Sequence, residues 1–156
     1  GYINLYMAYM LNHRLKALGA NVFMTRTSDE LLPIYDRTVR ASEAKPSLII
    51  SIDNDCFAED FNSPQVLKIK YDSSNNYSEN FAVNINKNLR KDFSYFETEI
   101  EENNEKIIKS TYCPSISVSL GNVFVPNIYK SVSMTNNIYN IIYSISNSVV
   151  SAYRQG

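Results

Sequence analysis

The residues with chemistry to offer lie mainly at two places. Asp53 and Asn54 close the apolar run Ser47 to Ile52, and Asp55 follows. Ser119 stands near the end of a second run, Ser115 to Leu120, just ahead of Gly121 and Asn122. A carboxylate at the first place could accept hydrogen bonds, take a proton or ligate a metal. The hydroxyl at the second can donate and accept hydrogen bonds, but its pKa is far too high for a general base at neutral pH. Other candidates are thinner. His13 is the only histidine and falls mid-helix beside Asn12 and Arg14, so neither a His-based metal site nor a Ser-His-Asp triad is expected. Cys56 and Cys113 lack the spacing of a metal pair and read as small buried apolar residues. Asp29, Glu30, Glu59 and Asp60 read as solvated faces. Tyr71, Tyr77, Tyr112 and Tyr129 could stack on sugars along a glycan groove, although packing is the plainer reading.

The elements that must position these groups follow from periodicity. Leu5, Ala8, Leu11, Leu15 and Leu18 recur at helical spacing, so a helix is expected over 3–18, stopped by Gly19 in a left-handed conformation. Asn21 to Thr25 is β-prone and reads as a strand. Pro33 opens a helix over 34–44, because its missing N–H costs nothing in a first turn, and Pro46 ends it. Ser47 to Ile52 reads as a strand buried on both faces of a parallel sheet. Val66 to Tyr71 alternates and reads as a more exposed strand. A helix over 78–89 presents Phe81, Ala82, Ile85 and Leu89, with Ser78 as its N-cap. Residues 91–112, which contain Glu97, Glu99, Glu101 and Glu102, read as a charged surface loop. Ser115 to Leu120 places Ile116, Val118 and Leu120 on one strand face. The last helix runs over 136–153 on Ile138, Ile141, Ile142, Ile145, Val149 and Ala152, capped by Ser133 or Thr135.

This alternation predicts an α/β fold with a mostly parallel twisted sheet flanked by helices. Ligands of such sheets bind outside the carboxyl ends of strands, which directs attention to Asp53, Asn54 and Ser119. The 156 residues suit a single domain with a core that needs no metal or disulfide. Net charge is −1 with Lys and Arg scattered, which argues against a nucleic-acid partner or a membrane surface. Four glycines, none clustered, exclude a phosphate-cradling loop. No apolar stretch is long enough to span a bilayer. The frequent Asn and Ser, with 12 Tyr and no Trp, suggest an AT-rich, clostridial kind of coding bias.

The stretch Leu15-Lys16-Ala17-Leu18-Gly19-Ala20-Asn21-Val22-Phe23-Met24-Thr25-Arg26 resembles the first helix and second strand of the zinc-dependent N-acetylmuramoyl-L-alanine amidases. Ser28-Asp29, Arg37 and Ile50-Ser51-Ile52-Asp53-Asn54 continue the likeness, as do Pro114, Ile116, Val118, Ser119, Leu120 and Gly121. The resemblance runs nearly the whole chain in order and spacing. It implies a zinc-amidase-like fold, with the family's first strand preceding Gly1. It also implies a chemistry: zinc polarises the amide next to L-alanine and activates a water, and a Glu relays the proton. The family's zinc ligands are a His after the first strand, a Glu at the start of the first helix, and the His that ends the Ser-Ile-His strand. The first two would fall before Gly1. Asp53 stands at the third, and Ser119 stands where the catalytic Glu would be, filling the space of a larger side chain.

The expectation is therefore a degenerate, non-catalytic amidase-like domain over 1–156, in a bacterial cell envelope or extracellular setting. Asp53, Asn54 and Ser119 would contribute binding, no catalytic residue is expected, and no cofactor is expected where the active family uses zinc. The partners would be peptidoglycan fragments or an envelope protein. Two alternatives stand beside it. One is an active zinc amidase with its remaining ligands upstream and Asp53 as an unusual ligand. The other is a purely structural envelope or sporulation domain.

Overall fold

A computed structural model describes residues 2–53, 66–92, 97–102, 108–119 and 131–154. Four helices and four strands follow in the order α1 (Tyr2–Ala17), α2 (Ile34–Glu43), β1 (Ile49–Asp53), β2 (Val66–Tyr71), α3 (Ser78–Asp92), β3 (Glu97–Glu102), β4 (Ser115–Ser119) and α4 (Ser131–Arg154). The strands lie in the order β1-β4-β2-β3. β1 pairs with β4 and β2 with β3 in parallel, while β2 and β4 run antiparallel. The sheet is thus small and mixed.

The helix stop at Gly19 is borne out in detail. Gly19 has φ +97°. Its N–H donates to Lys16 O at 3.0 Å and Ala20 N–H donates to Leu15 O at 3.0 Å, the paired bonds that satisfy the last carbonyls of a helix. Helix α3 departs from expectation at its start. The Ser78 hydroxyl does not cap the helix but accepts the Ser115 N–H of β4 at 2.9 Å, while Tyr77 O takes the first intrahelical bond from Phe81 N–H. Helix α4 begins at Ser131, so Ser133 and Thr135 lie inside it rather than at its cap.

Register decides what each sheet face carries, because directly paired residues project to the same side. One face holds Ile50, Ile52, Ile116, Val118, Ile69, Tyr71 and Ile100, packed with α1, α3 and α4. Its core includes Met7, Leu11, Leu15, Ala82, Ile85, Leu89, Ile141 and Ile145, all buried. The other face carries Ser51, Ser117 and Lys70 in one row; at the start of β1 it is closed by a small cluster of Ile49, Ala41 of α2, Ile108 and Cys113. Cys113 is buried there, as its reading as a small apolar residue requires.

Four strand expectations change. Asn21 to Thr25 forms no ladder. A strand needs a neighbour to bond its backbone, and among the described residues none lies beside it. Residues 97–102, read as loop, form β3, which pairs with β2. Its Glu-rich composition hides the alternation of Thr98 and Ile100, and charge on an edge strand is a common guard against stray pairing. β2 is interior rather than exposed, with Leu67 and Ile69 fully buried between β4 and β3. Conversely β1, expected to be buried on both faces, stands at the edge among the described strands, and its Ile50 to Asp53 are half-buried.

Candidate functional site

Topology brings the two sequence-derived positions side by side. Asp53 is the last residue of β1 and Ser119 the last of β4; they are direct register partners in a parallel pair. Both therefore project to one face at the carboxyl ends of adjacent strands, where α/β sheets place ligands. Ser119 is also the register partner of Lys68 on β2, which in turn pairs with Glu99 on β3. A polar row, Asp53–Ser119–Lys68–Glu99, thus crosses the sheet on this face. Lys68 Nζ lies 3.1 Å from Glu101 Oε1, with both side chains about two-fifths exposed. A pair so open to water is screened and adds little stability, but it holds the ammonium in place beside the row.

The exposures of the two strand-end residues differ. Asp53 is half-buried, whereas Ser119 is 1% exposed. Ser119 offers a hydroxyl in a space too enclosed to be a surface feature. Asn54 lies outside the described residues, so the candidate site rests on Asp53 and Ser119.

The other sequence candidates do not join them. His13 is exposed on α1. Asp29 and Glu30 are exposed and pair with Arg26 at 3.5 Å and Arg40 at 3.1 Å, as solvated faces do. The tyrosines read as a glycan groove fall elsewhere: Tyr71 pairs with Ile116 near the start of β4, at the opposite end of the sheet from Ser119. Tyr77 and Tyr112 are exposed on the turns near that end, which Asn75 Nδ2 ties together by donating to Thr111 O at 3.2 Å. Cys56, Glu59, Asp60 and Tyr129 lie outside the described residues. Lys68 was missed by sequence reasoning. The available signal was the alternation Lys68-Ile69-Lys70, which puts both lysines on one strand face.

The donor set near Asp53 can be tested against zinc. Such a site takes three protein ligands drawn from His, Cys, Asp and Glu and leaves one position open. Among the described residues no three of these groups converge. Asp53 supplies one carboxylate, and its register partner supplies a hydroxyl, a poor zinc ligand unless ionised. The described residues do not fit the metal. What the row can do is hydrogen-bond: Asp53 accepts, Ser119 donates and accepts, and Lys68 donates.

Comparison with known proteins adds an independent line. The sequence profile described as N-acetylmuramoyl-L-alanine amidase matches residues 2–151. No curated protein sequence matches the chain. Among solved structures, the chain is similar to the catalytic domain of CwlV, an N-acetylmuramoyl-L-alanine amidase from Bacillus (Paenibacillus) polymyxa var. colistinus. There the TM-score is 0.75 at 18% identity, covering 96% of this chain and 82% of that one. It is also similar to N-acetylmuramoyl-L-alanine amidase AmiC2 of Nostoc punctiforme, with TM-score 0.70 at 14% identity, covering 97% and 82%. An N-acetylmuramoyl-L-alanine amidase from Clostridium difficile 630 gives TM-score 0.71 at 17% identity over 96% and 81%. Identities this low speak for the fold.

Proposed function

The chain belongs to the N-acetylmuramoyl-L-alanine amidase family, and from that premise we propose that its 156 residues act as a single amidase-like domain that binds cell-wall material without cleaving it. The observation that carries this reading is the register pair Asp53–Ser119. The resemblance assigns zinc binding and proton relay to these two positions, and they meet at adjacent strand ends. A carboxylate and a buried hydroxyl stand there in place of an imidazole and a carboxylate.

The chemical consequence is direct. Removing a positioned general acid/base costs roughly 10²–10⁴-fold in rate, and a neutral serine hydroxyl does not restore it. Hydrogen-bonding capacity remains. Muropeptides are rich in amides, carboxylates and hydroxyls, and a row of acceptor, hydroxyl and ammonium groups suits them. The setting proposed is the bacterial cell envelope or the extracellular wall. No helix among the described residues is long and apolar enough to cross a membrane.

Isothermal titration with purified muropeptides tests the reading. Binding is expected, and Asp53→Ala should weaken it by about ten-fold, the loss of one charge-assisted hydrogen bond. Because Asp53 is half-buried at a strand end, the variant should keep the melting temperature within a few degrees. Absence of binding to muropeptides, with no partner retained from envelope extracts, would sink the proposal. Zinc at one equivalent together with clearing of cell walls would establish an active amidase instead.

A further inference from the structure

We infer that Lys68 reads a free carboxylate on the cell-wall ligand, and that Glu101 competes with that carboxylate for the Lys68 ammonium. The inference rests on the binding proposed at the strand ends and names the class of ligand bound there: a stem peptide whose carboxylates are ionised rather than amidated. It starts from register. Lys68 of β2 is the direct partner of Ser119, and Ser119 is the direct partner of Asp53. Neighbouring strands lie about 4.8 Å apart, so the Lys68 and Asp53 backbones stand roughly 9–10 Å apart across the row. Between them Ser119 is 1% exposed, while Asp53 is half-buried and the Lys68 side chain is 39% exposed. A ligand therefore meets the row at its two charged groups.

The row has a polarity. Asp53 repels a carboxylate and accepts N–H donors, whereas Lys68 is the one cation of the row and attracts a carboxylate. Glu99, the direct partner of Lys68 on β3, closes the row on the side away from Ser119. A stem peptide offers both kinds of group, amide N–H and carboxylate, and one orientation along the row satisfies both. Lys70 shares this face but belongs to the next row, with Ser117 and Glu101, two residues further from the end of β4.

The Lys68 ammonium is held back from that role. Its 3.1 Å ion pair is not with Glu99 directly across but with Glu101, the diagonal partner in the Lys70–Ser117 row. Because β2 runs antiparallel to β4, this pairing draws the ammonium away from Ser119 and the strand ends. Both side chains are about two-fifths exposed, and an ion pair so open to water is easily exchanged. Lysine carries its charge on a flexible four-carbon stem, and directly paired side chains start only about 5 Å apart, so rotation about that stem brings the ammonium over Ser119. A ligand carboxylate there takes the place of Glu101, and the ammonium exchanges one anionic partner for another.

The probes are a purified muramoyl tripeptide with its carboxylates free and the same compound with them converted to primary amides, each titrated calorimetrically into the 156-residue chain. The free acid should bind about ten-fold more tightly at low salt, and the advantage should shrink as salt screens the exposed ammonium. Lys68→Met keeps most of the apolar stem and removes the charge; it should bring the acid down to the affinity of the amide and leave the amide unchanged. Glu101→Gln releases the ammonium and should tighten the acid several-fold with no effect on the amide. A merely structural role for Lys68 would move both compounds together. If Lys68→Met fails to fold, Glu101→Gln decides alone, because its effect is a gain confined to the acid. Equal binding of acid and amide to the unaltered chain, or a Glu101→Gln variant that binds the acid no better, would overturn this inference and leave the proposed binding in place. Failure of both compounds to bind would overturn the proposed binding itself, and this inference with it.

Discussion

Single residues carry most of the distinctive physics here. Ser78 was legible as a helix-start residue, but its use was not. Its hydroxyl is fully buried and spent on the Ser115 N–H of β4, a long-range partner that no local spacing reveals. Ser78→Ala should leave that N–H buried and unpaired and cost about 1–3 kcal/mol, measured as a lower urea midpoint with an unchanged slope. Two tyrosines make a pH prediction. Burial, reinforced by Glu79 and Glu102, raises the Tyr71 phenol above its ordinary value of 10.0. Burial, reinforced by Cys113, likewise raises that of Tyr153, whose hydroxyl donates to Ser47 O. With folded pKa values above unfolded ones, the native state holds these protons longer. Their contribution is fully present below pH 10.0 and is lost as pH rises through the folded values. Thermal midpoints should fall above pH 10.0, less steeply in a Tyr71→Phe, Tyr153→Phe double variant.

At the scale of elements, patterns with an internal stop were readable and patterns that depend on a neighbour were not. Helix α1 ended where Gly19 said it would, since the left-handed φ of +97° is a local demand. A Cβ built there would meet nothing within 4 Å. Gly19→Ala should therefore cost only the backbone strain, about 1–2 kcal/mol, seen as a drop of several degrees in melting temperature. Helices α3 and α4 kept most of their expected stripes, with Ala82, Ile85 and Leu89 buried in one and Ile138, Ile141, Ile142, Ile145 and Val149 in the other, while Phe81 and Ala152 are only half-buried. Strands behaved differently. Asn21 to Thr25 has strand composition and lacks a ladder, whereas Glu97–Glu102 has the composition of a loop and gains a ladder from β2. Pairing is a property of two segments, and a single segment shows only its own half.

For the whole molecule, order and spacing along the chain were enough to indicate the α/β scaffold and its family, and the profile match and the fold of solved amidases agree. The mixed sheet was not legible, because the antiparallel β2–β4 pairing depends on the strand order β1-β4-β2-β3 rather than on any one motif. Asp53 and Ser119 were legible as separate strand ends, and register joined them. Lys68 became visible only through that register. The proposed function is that of a scaffold of this family that holds cell-wall material and leaves it intact. Native mass spectrometry of the chain with a purified muramoyl-peptide and equimolar zinc tests both halves at once. The expected spectrum is a one-to-one complex carrying the intact ligand after prolonged incubation. Release of the free peptide beginning with L-alanine would contradict the claim.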